Sequence, residues 1–150
     1  MSFHFGDLKE GARYRSSGRT LTEADIMSFA GLSGDYNPLH IDETWVRSNT
    51  EFDGRIAHGL LVLAVTSGLR TPGLDEWAIL AYLNVERKML APAYPGDTIH
   101  QRSWIESLRA SRSRPGTGIV VVSSQVINHR GEVLQEGKDT YLVGGEGVAP

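Results

Sequence analysis

The strongest constraint on the fold is an apolar run at residues 59–69, GLLVLAVTSGL. Its apolar side chains cover almost the whole circumference of a helix, so the pattern predicts a helix buried inside the protein rather than one lying on its surface. A short apolar run is also compatible with a buried strand. A length of about ten residues, with Gly68 and Pro72 near its end, favours the helix.

The second half of the chain is predicted to supply the surface that covers this helix. Segments rich in apolar and β-branched residues alternate there with Gly- or Pro-containing breaks, and they span residues 78–86, 98–108, 118–127 and 133–143. Short breaks between long strands indicate antiparallel neighbours. The sequence therefore predicts an α+β fold in which an antiparallel sheet covers the buried helix. All 150 residues are expected to form one domain, with a frayed Gly-rich tail at about 144–150.

Composition excludes several classes of function. The formal net charge of −3 argues against nonspecific nucleic-acid binding, which requires many Lys and Arg side chains. The chain has no cysteine, so disulfides and thiolate nucleophiles are excluded. The five histidines show no paired ligand spacing, and no phosphate-binding glycine motif occurs, so we expect neither a metal nor a nucleotide cofactor. No apolar segment approaches the ~20 residues of a membrane span, and no signal peptide is visible, so the expected location is the cytoplasm.

A second helix is predicted over residues 22–32. Thr22 and Asp25 have the spacing of a capping box, and apolar residues follow at helical intervals. Gly34 suits the C-terminal exit of this helix, because glycine adopts the left-handed conformation that such exits favour.

The segment after this helix, SGDYNPLH at residues 33–40, carries a carboxylate and an imidazole on one turn. Pro38 prevents the helix from simply continuing, so Asp35 and His40 are predicted to face one cavity. Two groups that transfer protons, held close together, indicate acid/base chemistry. The same pattern also occurs at ordinary helix ends, so the turn alone does not establish a site.

Two more blocks of sequence change that interpretation. After the turn region of residues 29–42 come IAHGL at 56–60 and LAPAYPGDT at 90–98. In order and spacing, the three blocks resemble the MaoC-like dehydratases, the family that includes the R-specific enoyl-CoA hydratases. The likeness extends over nearly the whole chain. It implies the hot dog fold, an antiparallel sheet wrapped around a central buried helix, in agreement with the apolar pattern.

The resemblance implies a hydro-lyase that reversibly hydrates a trans-2-enoyl thioester to the (R)-3-hydroxyacyl thioester. The family's aspartate and histidine hold and activate the water, so Asp35 and His40 are the predicted catalytic pair. Which of them takes the first proton stays open. Asn37 is expected to fix the turn or to bond the water. The backbone N–H of Gly59 is the predicted donor to the thioester oxygen.

The resemblance also suggests where the substrate binds. Ser67 is a candidate residue of the acyl pocket, and His58 is expected to be structural. Coenzyme A or an acyl carrier protein would arrive as part of the substrate, so no separate cofactor is expected. Phosphate groups of coenzyme A could meet basic side chains, for which the candidates are Arg87, Lys88, Arg102, Arg109, Arg112 and Arg114.

The expected assembly is a homodimer or a higher homo-oligomer, because a single hot dog sheet leaves strand edges exposed. Two alternative functions stay open at this point. One is a hot dog thioesterase, and the other is a noncatalytic subunit that binds acyl thioesters. The presence of both Asp35 and His40 favours the hydratase over either alternative.

Overall fold

The computed structural model describes residues 2–147. Over these residues a short 3₁₀ turn (Phe5–Asp7) precedes six strands and four helices: β1 (Arg13–Arg15), β2 (Arg19–Thr20), α1 (Glu23–Ser33), α2 (Pro38–Ile41), α3 (Glu43–Asn49), α4 (Gly59–Ser67), β3 (Ile79–Met89), β4 (Thr98–Ala110), β5 (Gly118–Asn128) and β6 (Val133–Val143). Among the described residues, no helix has both the length and the apolar character needed to cross a membrane.

The strands form one antiparallel sheet in the order β1-β4-β5-β6-β3, and β2 also pairs with β4. The four long strands lie where the sequence predicts them, and their antiparallel pairing is confirmed. β1 and β2 were not predicted, because three and two residues are too few to show an alternating pattern. Within residues 2–147, β3 pairs only with β6, so its other edge is open.

Helix α4 packs against one face of this sheet. Its buried side chains join sheet residues in a single apolar cluster, which includes Leu61, Val62, Val65, Ile99, Val126 and Leu134. The opposite face of α4 is open in the single chain, where Leu60 is 61% exposed. The helix is therefore buried on one side only, whereas its apolar pattern predicted burial nearly all round. The difference arises because a single sheet can cover only one face of a helix.

The boundaries of α1 are set by local sequence. The Asp25 N–H donates to Thr22 Oγ1 at 3.1 Å, and the Thr22 N–H donates to Asp25 Oδ2 at 2.8 Å, which is the predicted capping box. Gly34 ends the helix in the left-handed region, with φ 77°, and its N–H donates to the Ala30 carbonyl. A side chain would strain this conformation, so glycine allows the chain to reverse direction immediately before Asp35.

The C-terminal tail predicted at 144–150 does not begin at residue 144. The Gly144 N–H donates to the Ala78 carbonyl at 2.8 Å, and Gly145 is buried. These two glycines therefore still belong to the packed part of the protein. Residues 148–150 of the predicted tail lie outside the described residues.

The apolar cluster beneath α4 should dominate stability. Ile99, which is 0% exposed, loses both its buried surface and its packing in an Ile99→Ala variant, so we expect a loss of about 2–5 kcal/mol in the free energy of unfolding. Leu32, which is 84% exposed, serves as the control, and Leu32→Ala should change stability by less than about 0.5 kcal/mol. Urea unfolding followed by circular dichroism measures both values. Equal losses would contradict the importance of this cluster.

Candidate active site

The turn between α1 and α2 is held by hydrogen bonds to its own backbone. Asn37 caps α2, since its Oδ1 accepts from the Leu39 N–H at 3.0 Å. The Asn37 N–H donates in turn to Asp35 Oδ1 at 3.2 Å. The side-chain oxygen of Asn37 is thus engaged in the cap. Asp35 and His40 lie on either side of this capped segment, so their separation is fixed by the backbone between them.

His40 is oriented by a main-chain carbonyl. Its Nδ1 lies 2.8 Å from the Ile56 carbonyl oxygen, and because a carbonyl can only accept, Nδ1 must carry a proton. In the neutral ring, Nε2 is then the acceptor, and it lies 3.8 Å from Asp35 Oδ2. This distance is too long for a direct hydrogen bond, but one water molecule can bond to both atoms. The His40 side chain is 11% exposed and that of Asp35 is 51% exposed, so the pair is open on the carboxylate side.

His58 connects the parts of the site, although sequence reasoning gave it only a structural role. Its ring stacks on that of His40, with 3.7 Å between centroids and 26° between planes. Its Nε2 donates to the main-chain carbonyl of Asp35 at 3.0 Å. It also directly precedes α4. One buried side chain therefore contacts the Asp35 backbone and the His40 ring at the start of α4. Its position next to Gly59 in the IAHGL block was the only signal in the sequence.

Gly59 is the first residue of α4. The first intrahelical bond runs from the Val62 N–H to the His58 carbonyl at 3.1 Å, so the amide of Gly59 has no partner within the helix and lies at the positive end of its dipole. A Cβ at this position would lie 3.1 Å from the Met89 sulfur, so glycine keeps the approach to the backbone open. Gln135 Nε2 donates to the Gly59 carbonyl at 2.8 Å and fixes the orientation of the helix start.

A mainly apolar cavity of about 340 Å³ adjoins His40 and Gly59. Its wall includes Ile56, Val62 and Met89. An apolar space with a few convergent polar groups at one end is typical of a site for a small organic molecule. The arrangement offers a position for water, a proton acceptor and a backbone donor beside a space suited to hydrocarbon.

Ser67, the predicted acyl-pocket residue, lies at the other end of α4. It comes eight residues after Gly59, which corresponds to about 12 Å along the helix axis. Its hydroxyl donates to the Ala64 carbonyl at 2.7 Å, and it lines a different cavity, of about 490 Å³. The structure therefore brings Asp35, His40 and Gly59 together but does not bring Ser67 to them.

Arg87 was one of the basic side chains predicted to meet the phosphates of coenzyme A, but it is buried and paired with a carboxylate. Its side chain is 4% exposed, and its Nη2 lies 2.7 Å from Asp139 Oδ2. The interpretation as a surface cation was wrong because the sequence does not show which face of β3 carries the residue. The other basic candidates are exposed: Lys88, Arg102, Arg109, Arg112 and Arg114.

Asp35, His40 and His58 place possible metal-ligand atoms within 4.8 Å of one another. The stacked geometry is poor for coordination, because the nitrogen lone pairs lie in two nearly parallel ring planes and do not converge on one point. His40 Nδ1 and His58 Nε2 are also bonded to carbonyls. The cluster suits proton transfer better than metal binding, and the absence of a metal stays a prediction.

Comparison with known proteins decides the family. The family described as MaoC like domain matches residues 6–127, which is most of the sequence. The chain belongs to the MaoC-like dehydratase family. A relative from Rhodospirillum rubrum, named (R)-specific enoyl-CoA hydratase, is 35% identical to this MaoC-like chain over 147 residues, covering 96% of the chain and 94% of the relative.

Solved structures agree with the family. The crystal structure of a MaoC-like dehydratase from Rhodospirillum rubrum has a TM-score of 0.84 and 28% identity, covering 98% of this MaoC-like chain and all of that one. A Mycobacterium tuberculosis protein with a double hot dog fold has a TM-score of 0.84 at 22% identity, covering 99% of this chain and 46% of that one. The predicted hot dog fold is confirmed. Family membership likewise confirms the predicted class of enzyme, a hydratase or dehydratase.

His58 should position the catalytic groups of this MaoC-like enzyme. His58→Phe keeps a ring to stack on His40 but loses the N–H bonded to Asp35, whereas His58→Gln keeps a donor but loses the stack. We expect each change to lower kcat for hydration of an enoyl thioester by about 10- to 100-fold, with a smaller effect on KM, because small displacements of reacting groups are costly. Steady-state kinetics measures both constants.

Phe29→Leu is the matched control for these variants. Phe29 contacts the His58 ring with centroids 4.9 Å apart, and its partly buried side chain packs against the apolar cluster and is not one of the catalytic pair. This variant should keep a nearly normal kcat. A normal kcat in both His58 variants would show that His58 has only a structural role.

Proposed function

We propose that the protein hydrates a trans-2-enoyl thioester to the (R)-3-hydroxyacyl thioester and catalyses the reverse dehydration. The observation that carries the proposal is the 3.8 Å separation of Asp35 Oδ2 and His40 Nε2 beside the start of α4. The relative from Rhodospirillum rubrum, which is named (R)-specific enoyl-CoA hydratase, supports the same reaction. Coenzyme A or an acyl carrier protein delivers the acyl group as part of the substrate, and the reaction requires no separate cofactor.

Hydration begins with a water bound between the Asp35 carboxylate and the His40 imidazole. The water oxygen bonds to the β-carbon while the pair accepts one of its protons, and the double-bond electrons move toward the thioester oxygen. The Gly59 N–H stabilises the resulting enolate-like charge. The pair then returns the proton to the α-carbon, and the thioester carbonyl re-forms. Because both groups contact one water, they act as a coupled pair in taking and returning this proton.

The orientation of His40 supports this role. Its Nδ1–H is committed to the Ile56 carbonyl, so the other ring nitrogen faces the water as an acceptor. Asp35 is fixed from two directions, by the Asn37 N–H on its carboxylate and by the His58 ring on its carbonyl. Both catalytic groups are therefore held in place before substrate binds, which lowers the cost of reaching the transition state.

Removing either catalytic group should abolish most activity while leaving the fold intact. Asp35→Asn and His40→Gln keep polar side chains of similar size, and each should slow hydration by at least ~10²-fold. The double variant should be scarcely slower than the poorer single variant, because both groups serve one water. Loss of the conjugated enoyl absorbance of 2-enoyl-CoA substrates measures the rate, and thermal unfolding checks the fold.

Asp53→Asn is the control, since Asp53 is exposed and lies outside the catalytic cluster. Near-normal rates in Asp35→Asn or His40→Gln would overturn the assignment of that residue. The same assay separates the alternatives, because a thioesterase releases free coenzyme A and a noncatalytic subunit leaves the substrate unchanged. A cytoplasmic location also stays a prediction.

We also infer a homodimer. The open edge strand β3 carries exposed apolar side chains, with Leu83 51%, Val85 41% and Met89 50% exposed. Leu60 on the uncovered face of α4 is 61% exposed. An open strand edge combined with an apolar surface tends to associate, and a second copy of the chain can cover both.

The mass in solution tests this assembly. Light scattering across a dilution series should give at least twice the 16.4 kDa mass of the chain. Val85→Lys places a charge on the β3 edge and should shift the protein toward monomer, whereas Leu32→Lys on exposed α1 should not. An active wild-type monomer would contradict the inference.

A further inference from the structure

Helix α4 begins without a capping side chain. Its N-cap residue is His58, whose side chain makes no capping hydrogen bond and donates to the Asp35 carbonyl instead. The other three helices of residues 2–147 each have a side-chain cap, supplied by Thr22, Asn37 and Asp42. A capping side chain would occupy one of the first N–H groups of α4. Its absence leaves these groups, including that of Gly59, available to a ligand.

A side chain from the sheet holds the helix start in place of a cap. Gln135 Nε2 donates to the Gly59 carbonyl at 2.8 Å, and Gln135 lines the same cavity as Gly59 and His40. A carbonyl only accepts, so the amide nitrogen of Gln135 is the atom that faces it.

This bond matters because glycine has more backbone freedom than any other residue. The peptide unit before Gly59 belongs to His58, whose ring is bonded to the Asp35 carbonyl and stacked on His40. The peptide unit after Gly59 carries the carbonyl that Gln135 holds. Gly59 is therefore fixed on both sides, and the direction of its N–H is fixed with it.

Gln135 lies beside a β-bulge in β6. Gln135 pairs with Val126 of β5, but the next residue of β5, Ile127, pairs with Val133, so Leu134 is the extra residue. Side chains normally alternate between the two faces of a strand. Here Leu134 and Gln135 are 0% and 2% exposed, and both line the catalytic cavity. Bulges are common beside active sites, where they re-aim side chains.

Stability does not account for the presence of Gln135. Its Oε1 is buried and has no hydrogen-bond partner among the described residues. A buried acceptor without a partner destabilises the fold, whereas an apolar side chain of similar size would not. Within residues 2–147, the bond to Gly59 is the one hydrogen bond that the Gln135 side chain makes. Its position and its single bond therefore indicate a role at the start of α4.

We propose that Gln135 is a positioning residue for hydration, which holds the Gly59 N–H in the direction that stabilises charge on the thioester oxygen. The inference rests on the proposed hydratase function and adds a residue to its machinery. Gln135 acts through Gly59 rather than on the reacting atoms. Because the charge on the thioester oxygen develops only as water adds, the contribution of Gln135 appears in kcat rather than in KM.

Gln135→Leu removes the donor and the unpaired acceptor together while nearly keeping the side-chain volume. For a 2-enoyl-CoA that the wild type hydrates, kcat should fall by about tenfold or more, with KM changed by less than about threefold, because small displacements of reacting groups are costly. Thermal unfolding should occur at the wild-type temperature or above it, since no buried acceptor is left unpaired. A folded variant with a normal kcat overturns the proposal.

Gln135→Glu adds a readout that a purely structural residue would not give. A protonated carboxyl can donate to the Gly59 carbonyl, whereas a carboxylate cannot. Burial raises the pKa of such a carboxyl. The ratio of variant to wild-type kcat should therefore be highest at low pH and fall as the pH rises through that pKa. The same ratio for Gln135→Leu should not depend on pH, and a flat ratio in a folded Gln135→Glu protein contradicts the role of the donor.

A second background tests the route through Gly59. Gly59→Pro removes the N–H that Gln135 positions, and proline is tolerated in the first turn of a helix. Adding Gln135→Leu to this variant should lower kcat by less than about twofold, because the two changes affect one interaction. A further loss of about tenfold would show that Gln135 acts by another route, and it would overturn the proposal.

Gln125→Leu is the matched control. Gln125 lies on the neighbouring strand β5, accepts from Arg102 at 3.3 Å and is outside the wall of the catalytic cavity. Its kcat should stay within about twofold of the wild-type value. A tenfold loss in this variant as well would overturn the specific role of Gln135.

A wild-type protein that hydrates no 2-enoyl-CoA would overturn the proposed function instead. Binding of crotonyl-CoA, followed by the NMR amide resonance of Gly59, then still tests Gln135. This resonance should shift when the thioester binds to the wild type, and it should shift less in Gln135→Leu. Equal shifts in the two proteins, or no shift in the wild type, would overturn the proposal.

Discussion

The packing of α4 against the sheet is the interaction on which the other features depend. Leu61, Val62 and Val65 are buried against residues from β4, β5 and β6, which fixes the helix axis over the sheet. Its first residue then lies beside the turn that carries Asp35 and His40. Its last turn lines the cavity of about 490 Å³ that includes Ser67. Since protein interiors are close-packed, the helix cannot slide without disturbing this cluster. The same apolar contacts therefore stabilise the fold and set the geometry of the site.

Hydrogen bonds to main-chain groups orient the catalytic side chains. One carbonyl fixes which nitrogen of His40 carries a proton, and another accepts from His58. The turn between α1 and α2 is held by the Asn37 cap and by the left-handed Gly34. A site built in this way tolerates changes in distant surface residues. It is sensitive to any change that moves the backbone of the turn relative to the start of α4.

Structural features that depend on residues close together in the chain could be predicted from the sequence. The Thr22 capping box, the apolar α4 and the four long strands all have local patterns, and the structure has them within a few residues of the predicted bounds. The Asp35 and His40 turn was also recognisable, because its motif lies within one short segment. These features involve contacts that are close along the chain or repeat with a fixed period.

Features that depend on distant contacts were not predictable. The stacking of His58 on His40 joins two segments whose relative position only the fold determines. Arg87 and Asp139 are 52 residues apart, and each resembles an ordinary exposed charge when its strand is considered alone. The two-residue β2 has no pattern of its own and is defined by its pairing with β4. Tertiary structure, rather than local propensity, decides all three.

The buried pair of Arg87 and Asp139 also limits how this lineage can change by mutation. A single substitution at either position leaves an uncompensated charge in the interior, which commonly costs 3–5 kcal/mol and is comparable with the whole stability of a small domain. Intermediates with one partner changed would be poorly populated in the cell. The two positions should therefore be inherited as a unit, and relatives that have lost one of these charges should have lost the other as well.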